Sequence, residues 1–437
     1  MKYFGTDGVR GTFGSQYVCA EFFEKLGGAV GAYLSCDLKL KTPKIAIGSD
    51  TRYSKDELKA AFCKGLGESL VLDFGVVPTP AIAYGVLHFN CDFGVVITAS
   101  HNPYTDNGIK FFDNRAKKIS DEAQNKIEQY VDENRFAEGC AKIESADAKT
   151  AYINKMASIL PSGCLKGVKI ALDCANGATY CTTKPVLEMY GACVSAIGVL
   201  PNGKNINDNI GSQHPEKISE LTKSSNSAIG FAHDGDGDRL VVCDDLGNII
   251  SGEEIMAMIA VSEYGEKGGK IVTTVQSNLG LDSSLEKHNI KVLRSGVGDR
   301  LVAQLMAKEN CKIGGENSGH FIFEDISPCG DGLAAALKVL SLVLARKQPL
   351  SKSQKIVDMF DSVSKAVMVA RKTPFEQTKT LNCSMQTCRD MLGKDGRILV
   401  RYSGTENKIR LLVEGKNPET NLKCMEILEK SVENDLQ

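Results

Sequence analysis

The sequence has almost no charge excess, no long apolar run and no closely paired cysteines, and each absence removes a class of protein. Lysine and arginine number 52 against 54 aspartates and glutamates, a formal net charge of −2. A chain without a basic surplus lacks the electrostatic footprint of a nucleic-acid binder, so no nucleic-acid partner is expected. A local basic pocket for a small anion stays open. No apolar run approaches the roughly 18 residues that a membrane helix needs. The opening "MKYFGTDGVRG" lacks the apolar segment of a secretory signal. No membrane partner is expected, and the cytoplasm is the expected compartment. The 15 cysteines, an odd number, include no CxxC pair. A disulfide framework does not suit so long a chain without an export signal, and zinc sites usually show paired spacing. Cysteines inside apolar segments, such as Cys174, Cys243 and Cys311, are therefore read as buried thiols acting as small hydrophobes.

What is present is an ordinary globular composition, 42% hydrophobic and 24% charged. At roughly 150 residues per domain, 437 residues suggest three or four domains. Strand and helix patterns alternate in three sets. The first holds "KIAIGSD" (44–50), a helical stretch from Ser54 to about Leu70, the strand "FGVVITAS" and a helix over Asp121–Asn134. A polar stretch near Glu144–Thr150 precedes "VKIALDC", a helix near Thr182–Tyr190, "CVSAIGV" and "SAIGFAHDG". The third set starts near Gly252, with "KIVTTV", "KVLRS", "CKIGG" and a helix from about Leu333 to Arg346. This alternation predicts βαβ units with largely parallel sheets. The last stretch differs, with "DSVSKAVMVA", a helix at about Glu376–Met391, then "RILVRYSG" and "KIRLLVEG" as an antiparallel pair, and a terminal helix. The expected fold is α/β: three similar mixed α/β domains (1–147, 148–250, 251–360) and a smaller C-terminal α+β domain (361–437).

Four short motifs carry candidate chemistry. "TASHNP" (98–103) follows the apolar run "FGVVI", placing Ser100 and His101 at the mouth of a buried strand. Open α/β sheets bind ligands there, although Ser, Asn and Pro are also plain turn formers. "HDGDGDRL" (233–240) sets Asp234, Asp236 and Asp238 at alternating positions between glycines. Three carboxylates in five residues repel one another unless a cation sits among them, and all-oxygen ligands suit Mg²⁺ or Ca²⁺. An EF-hand is excluded, because Arg239 stands at its glycine position. A solvated acidic turn is the bland alternative. The arginine beside the cluster suggests a bound anion. "GENSGH" holds Glu316, Asn317, Ser318 and His320, a set able to meet vicinal sugar hydroxyls or simply to form a polar turn. "RYSGTENKIR" (401–410) collects Arg401, Ser403, Thr405 and Arg410 around Gly404. Such a turn makes either a phosphate cradle or an ordinary hairpin. "GTDGVRG" and "GSDTR" each hold an Asp and an Arg among small residues and say little alone.

Together, in this order and from "YFGTDGVRG" to "RYSGTENKIR", these motifs resemble the α-D-phosphohexomutase family. "LDCANGATY", "QSNLGL" and "RSGVGDR" lie nearest its glucosamine branch. The resemblance implies four domains around a central cleft, each contributing one loop. It implies that Ser100 is a phosphoserine and that Asp234, Asp236 and Asp238 bind Mg²⁺ together with Ser100. Arg239 and Arg10 would support the transferring phosphate. Lys110 and His320 would be the acid–base candidates, His320 through a pKa near neutrality, with His101 orienting the loop. Glu316, Asn317 and Ser318 would bind the sugar; Arg401, Ser403, Gly404, Thr405 and Arg410 would bind its phosphate. The implied reaction interconverts glucosamine 6-phosphate and glucosamine 1-phosphate, feeding amino-sugar nucleotide and cell-wall precursor synthesis, with a hexosamine or hexose 1,6-bisphosphate as activator. The partner would be a small sugar phosphate and the protein a monomer or homodimer. A mutase of broader phosphomannomutase or phosphoglucomutase specificity, and a non-catalytic sugar-phosphate sensor, are the rivals. Tyr402, Asn407, Ile210 and Gln213 depart from the family's usual residues.

Overall fold

The computed structural model describes residues 2–5, 7–353, 355–403 and 407–436. Two compact units account for the chain. One is Met1–Gln276 with Ile290–Gln354, and the other is Ser277–Asn289 with Lys355–Gln437.

The first unit contains three sheets. The first comprises β1 (Val9–Thr12), β2 (Lys44–Ser49), β3 (Leu70–Val76), β4 (Phe93–Ile97), β5 (Asp106–Asp113) and β6 (Lys142–Ser145), in the order β1-β5-β4-β2-β3-β6. The second comprises β7 (Lys169–Asp173), β8 (Cys193–Ile197), β9 (Ile229–His233), β10 (Leu240–Cys243) and β11 (Ile249–Ile250), in the order β11-β10-β9-β7-β8. The third comprises β12 (Gly269–Thr274), β13 (Ile290–Ser295), β14 (Ile313–Gly315) and β15 (Phe321–Phe323), in the order β13-β12-β14-β15.

One plan recurs in all three. A central strand has parallel neighbours on both sides, and the third strand then turns back antiparallel as a hairpin: β4 to β5, β9 to β10, β14 to β15. The chain therefore leaves the third strand of each sheet beside the point where the strand order reverses, the usual ligand crevice of an open α/β sheet. The third strands are buried along their length, β4 as "FGVVI" and β9 as "IGFAH", as strands covered on both faces must be. Around β4 the core gathers Phe23, Phe62, Phe93 and Phe111.

The second unit has one antiparallel sheet, β16 (Asp361–Met368), β17 (Gly396–Tyr402) and β18 (Lys408–Gly415), in the order β16-β18-β17. Helices Lys379–Leu392 and Pro418–Leu436 cover one face, burying Ile409, Leu411 and Val413 with Leu381, Cys388 and Leu428. Arg410 alternates to the exposed side.

Some expectations need correction. The sheets are mixed rather than largely parallel, because every third strand returns through a short hairpin connection, which only an antiparallel neighbour can accept. The helix expected to run to Leu70 ends at Gly65. Gly67 has a positive φ of 68°, and β3 follows. The "polar stretch" at 144–150 holds edge strand β6 and the start of helix Ala148–Met156, whose cap Asp147 accepts the Thr150 N–H. Helix Ala20–Ala32 and strands β3 and β5 had no counterpart in the sequence reading. The cysteines are free thiols, eight of them buried, including Cys174, Cys243 and Cys311. Among the described residues no helix is long and apolar enough to cross a membrane.

Candidate active site

The loop after β4 holds Ser100 in a conformation that serine rarely adopts, with φ at 54°. A left-handed non-glycine residue costs on the order of 1–3 kcal/mol and persists only where its surroundings enforce it. Here the surroundings are visible. The Ser100 N–H donates to Thr98 Oγ1 at 2.9 Å, and Thr98 in turn donates to Asp50 at 2.7 Å. The Ser100 carbonyl accepts from Arg52 Nη2 and Asn207 Nδ2, each at 2.9 Å. Arg52 is fully buried and paired with Asp50 at 2.9 Å. Its remaining donors meet the carbonyls of Asn102, Pro103 and Asp106. The weak motif "GSDTR" is thus the frame of the loop, each guanidinium N–H having a partner. Ser100 Oγ donates to Asp234 Oδ2 at 2.7 Å and lies 3.3 Å from His101 Nδ1.

Asp234, Asp236 and Asp238 come from the turn between β9 and β10. One oxygen of each lies within 4.8 Å of the others, and all three residues are buried. The glycines between them have separate reasons. A Cβ on Gly235 would sit 2.7 Å from the Ser100 carbonyl, and Gly237 has φ of 74° with Thr179 against it. The first allows close approach to the serine loop, and the second reverses the backbone. Asp236 Oδ2 accepts from Thr79 Oγ1 at 2.7 Å and Lys110 Nζ at 2.8 Å. Asp236 Oδ1 and Asp238 Oδ1 are buried without a partner. Burial, and then the carboxylates of Asp238 and Asp236, push Asp234 up to about 8. Clustered buried carboxylates with spare oxygens fit a hard divalent cation such as Mg²⁺.

Lys110 lies on β5, almost fully buried, 3.0 Å from Asp7, 2.8 Å from Asp236 and 3.1 Å from Asp238. Burial works against its charge, but Asp236, Asp238 and Asp7 hold it well above the usual lysine range. His320 precedes β15, with Nε2 3.5 Å from Asp238 and 3.2 Å from Asp299. Its expected titration near neutrality is corrected here. Burial opposes protonation, yet Asp299 and Asp238 hold the ring at about 10, as an imidazolium. His101 shifts the other way, down to about 4, through burial and the nearby Arg239 and Arg10. Arg10 pairs with Asp7. Arg10 Nε and Arg239 Nε are both buried donors without a partner, as expected of groups awaiting an anion.

Backbone bonds join the second loop to the third. The Leu240 N–H donates to the Gly319 carbonyl at 2.9 Å, and Arg239 bridges antiparallel to His320. In the third loop Glu316 is half-buried, accepting from the Gly298 N–H at 3.0 Å and from Ser318 Oγ at 3.3 Å. Asn317 and Ser318 are exposed.

In the second unit Arg401 on β17 and Arg410 on β18 stand directly opposite each other. Ser403 is buried, and its carbonyl accepts from Lys372 Nζ at 2.7 Å. Tyr402 donates to the Thr373 carbonyl at 2.6 Å and stacks on Phe375. Gly404 and Thr405 lie outside the described residues. Of the expected residues, the structure gathers Ser100, His101, Arg10, Lys110, Arg239, His320 and the three aspartates around one centre in the first unit. Arg52, Thr98, Asn207, Asp7, Lys118 and Asp299 belong to that centre too. Of these, Thr98 opens "TASHNP", Asp7 and Arg52 lie in the weak Asp–Arg motifs and Asp299 lies in "RSGVGDR" with no role given to it, whereas Asn207 and Lys118 had no sequence signal.

Four family models match the chain: Phosphoglucomutase/phosphomannomutase, alpha/beta/alpha domain I over residues 1–138, domain II over 150–247, domain III over 251–360, and the C-terminal domain over 347–430. The phosphoglucosamine mutase of Aliarcobacter butzleri is 42% identical over 433 residues, 95% of this chain and 96% of its own. That of Clostridium acetobutylicum is 41% identical over 433 residues, 95% of each chain. A phosphoglucomutase/phosphomannomutase family protein from Burkholderia thailandensis superposes with a TM-score of 0.82 at 22% identity, over 98% of this chain and 97% of that one. An Aspergillus fumigatus N-acetylphosphoglucosamine mutase, solved in complex with GlcNAc-6P and magnesium, superposes with a TM-score of 0.64 at 15% identity, over 100% and 96%. At such identities the two structures speak for the fold, whereas the sequence matches run through all four family models. On those matches, the chain belongs to the phosphoglucomutase/phosphomannomutase family.

Proposed function

We propose that this chain interconverts glucosamine 6-phosphate and glucosamine 1-phosphate through a phosphorylated Ser100 and glucosamine 1,6-bisphosphate. The observation that carries this reading is Ser100 itself. It is held in left-handed backbone and hydrogen-bonded to Asp234 of a three-carboxylate cluster with spare oxygens. The identity of about 40% to curated phosphoglucosamine mutases supports the amino-sugar substrate.

Phosphorylated Ser100 gives its phosphoryl group to the free hydroxyl of the sugar monophosphate. The bond from phosphorus to Ser100 Oγ breaks as a bond to the sugar oxygen forms. The sugar hydroxyl loses a proton and Ser100 Oγ gains one. The bisphosphate then turns around and returns its other phosphoryl group to Ser100. Such transfers depend mainly on positioning and charge. Mg²⁺ held by Asp234, Asp236 and Asp238 would supply positive charge for the phosphoryl oxygens. Arg10 and Arg239 have free donors for the same oxygens. Lys110 and His320 bring N–H groups to this centre, and whichever gives its proton to Ser100 Oγ would take one back from the sugar hydroxyl. Glu316, Asn317 and Ser318 bind sugar hydroxyls, and Arg401, Ser403, Gly404, Thr405 and Arg410 bind the phosphate that is not being moved. A hexose or hexosamine 1,6-bisphosphate would load Ser100 at the start. The same reading divides the chain into four domains at 1–147, 148–250, 251–360 and 361–437.

The test is Ser100→Ala with a substrate panel. The wild type should turn over glucosamine 6-phosphate with a higher kcat/KM than glucose or mannose 6-phosphate, and its intact mass should show a fraction one phosphate heavier. The alanine variant should fold, lose that fraction and show no turnover. Turnover by the variant would remove Ser100 from the chemistry. A preference for glucose or mannose 6-phosphate would replace the substrate by that of a broader hexomutase.

A further inference from the structure

Behind the carboxylate cluster, six side chains, acidic and basic by turns, form a closed ring. Asp7 meets Lys110 at 3.0 Å, and Lys110 meets Asp238 at 3.1 Å. Asp238 faces His320 at 3.5 Å, and His320 faces Asp299 at 3.2 Å. Lys118 closes the circuit, its ammonium bound by both Asp299 and Asp7. The members come from segments beside all three sheets of the first unit. Asp7, Lys110 and Lys118 belong to the β1–β5 side of the first, Asp238 to the β9–β10 turn of the second, and Asp299 and His320 to the third.

Lys118 holds an unusual place in this ring. Among the described residues it makes no hydrogen bond or ion pair to the three clustered aspartates or to Ser100. Nor is it the sole cation of either partner. Asp7 also has Arg10 and Lys110, and Asp299 also has His320. Asp238 already joins Lys110 to His320 from within the carboxylate cluster, and Lys118 supplies the second link, from outside the cluster, through Asp7 and Asp299. Its side chain is only 10% exposed, so water does little to screen these contacts. Without its ammonium, the carboxylates of Asp7 and Asp299 would face each other across the gap as like charges.

We infer that Lys118 is a positioning residue that keeps Lys110 and His320 together at the carboxylate cluster, acting through Asp7 on one side and Asp299 on the other. Lys118 has this role only if Ser100 is the phosphoryl carrier, so the inference rests on the function proposed above.

The experiment begins with wild-type turnover of glucosamine 6-phosphate with Mg²⁺ and a bisphosphate activator. A wild type inactive on the whole substrate panel overturns the function, not the ring. Given an active wild type, Lys118→Met should lower kcat on the order of 10- to 100-fold, the scale of a small misplacement of catalytic groups, with KM unchanged. Lys118→Arg should restore most of the loss. Titration calorimetry with Mg²⁺ alone should give the wild-type Kd for both variants, which a general loosening of the site would not. In a His320→Gln background, Lys118→Met should cost far less than it does alone, because residues acting through one another are not additive. Wild-type kcat in Lys118→Met, or full additivity with His320→Gln, overturns the inference. If Lys118→Met does not fold, the charge-balanced pair Lys118→Met with Asp299→Asn takes its place. Compared with Asp299→Asn alone it should show no further fall in kcat, and a further full loss overturns the role.

Discussion

The two units treat charge in opposite ways. Around Ser100 the protein answers its own charges: Asp7, Asp234, Asp236, Asp238 and Asp299 lie among Arg10, Lys110, Lys118, Arg239 and His320. A divalent cation and a phosphoryl group of about two negative charges would enter together without upsetting that balance. In the second unit Arg401 and Arg410 face each other across two antiparallel strands, and among the described residues neither has a carboxylate partner. Like charges directly opposite on a sheet are destabilising. Further along the same two strands Arg397 and Glu414 are also opposite, and there the pair is closed at 3.0 Å. The first unit is thus organised for chemistry before any ligand arrives. The arginine pair of the second has no such answer among the described residues, an arrangement suited to an anion.

That contrast can be broken at its strongest point by removing the metal. Chelation should abolish mutase turnover and added Mg²⁺ should restore it. Asp236→Asn should lower Mg²⁺ affinity and kcat by at least the roughly 10- to 100-fold that even an outer partner of a metal site costs. Calorimetry and rate measurements at matched Mg²⁺ check both. A chelator-resistant enzyme would mean that the spare carboxylate oxygens serve something else.

The arginines offer the next largest effect. A charge-assisted hydrogen bond is worth roughly 1.5–3 kcal/mol, so Arg410→Ala should lower kcat/KM on the order of 10- to 150-fold for either monophosphate. The same change relieves a like-charge contact, so Tm should hold or rise. Arg397→Ala should behave in the reverse sense. It leaves buried Glu414 without its guanidinium, a loss of about 1–3 kcal/mol, while kcat/KM falls less than in Arg410→Ala. Denaturation curves beside kinetics on both variants separate the two outcomes. A parallel loss of stability and activity in Arg410→Ala would make it a structural arginine like Arg397.

The smallest effect concerns a buried carboxylate that has no cation partner among the described residues. Asp331 caps helix Gly332–Arg346 and accepts from the Tyr152 hydroxyl at 2.8 Å. Burial pushes it from 3.8 up to about 6, against the bonds from Ala334 and Tyr152. A folded pKa above the unfolded one means that the native state keeps the proton longer. The stability this contributes is complete below the unfolded pKa and is lost as pH rises through the folded one. Asp331→Asn has no such loss, so its Tm relative to wild type should climb between about pH 4 and pH 6. A difference that stays flat across that window would show that Asp331 remains charged.

Local chemistry was legible in the linear order of residues. Three carboxylates in five residues need positive charge among them once they are buried, and "FGVVI" before Ser100 marks a buried strand ending at a loop. The alternating strand and helix patterns sufficed for the fold class. Less visible were strand β3 and helix Ala20–Ala32, neither of which carries a residue of the four motifs.

The sequence alone therefore determined which loops carry candidate reactive groups, because that information is written within five to ten consecutive residues. Tertiary structure decided how those groups behave. The pKa of His320 is pushed up because Asp299 and Asp238, remote in sequence, converge on it in a buried site. Ser100 is held in its rare backbone state by Arg52 and Asn207, one on each side of it in sequence and both far off. Lys118 joins Asp7 to Asp299 across nearly 300 residues of chain. Burial and long-range pairing set charge and conformation, and neither exists until the three sheets have packed together.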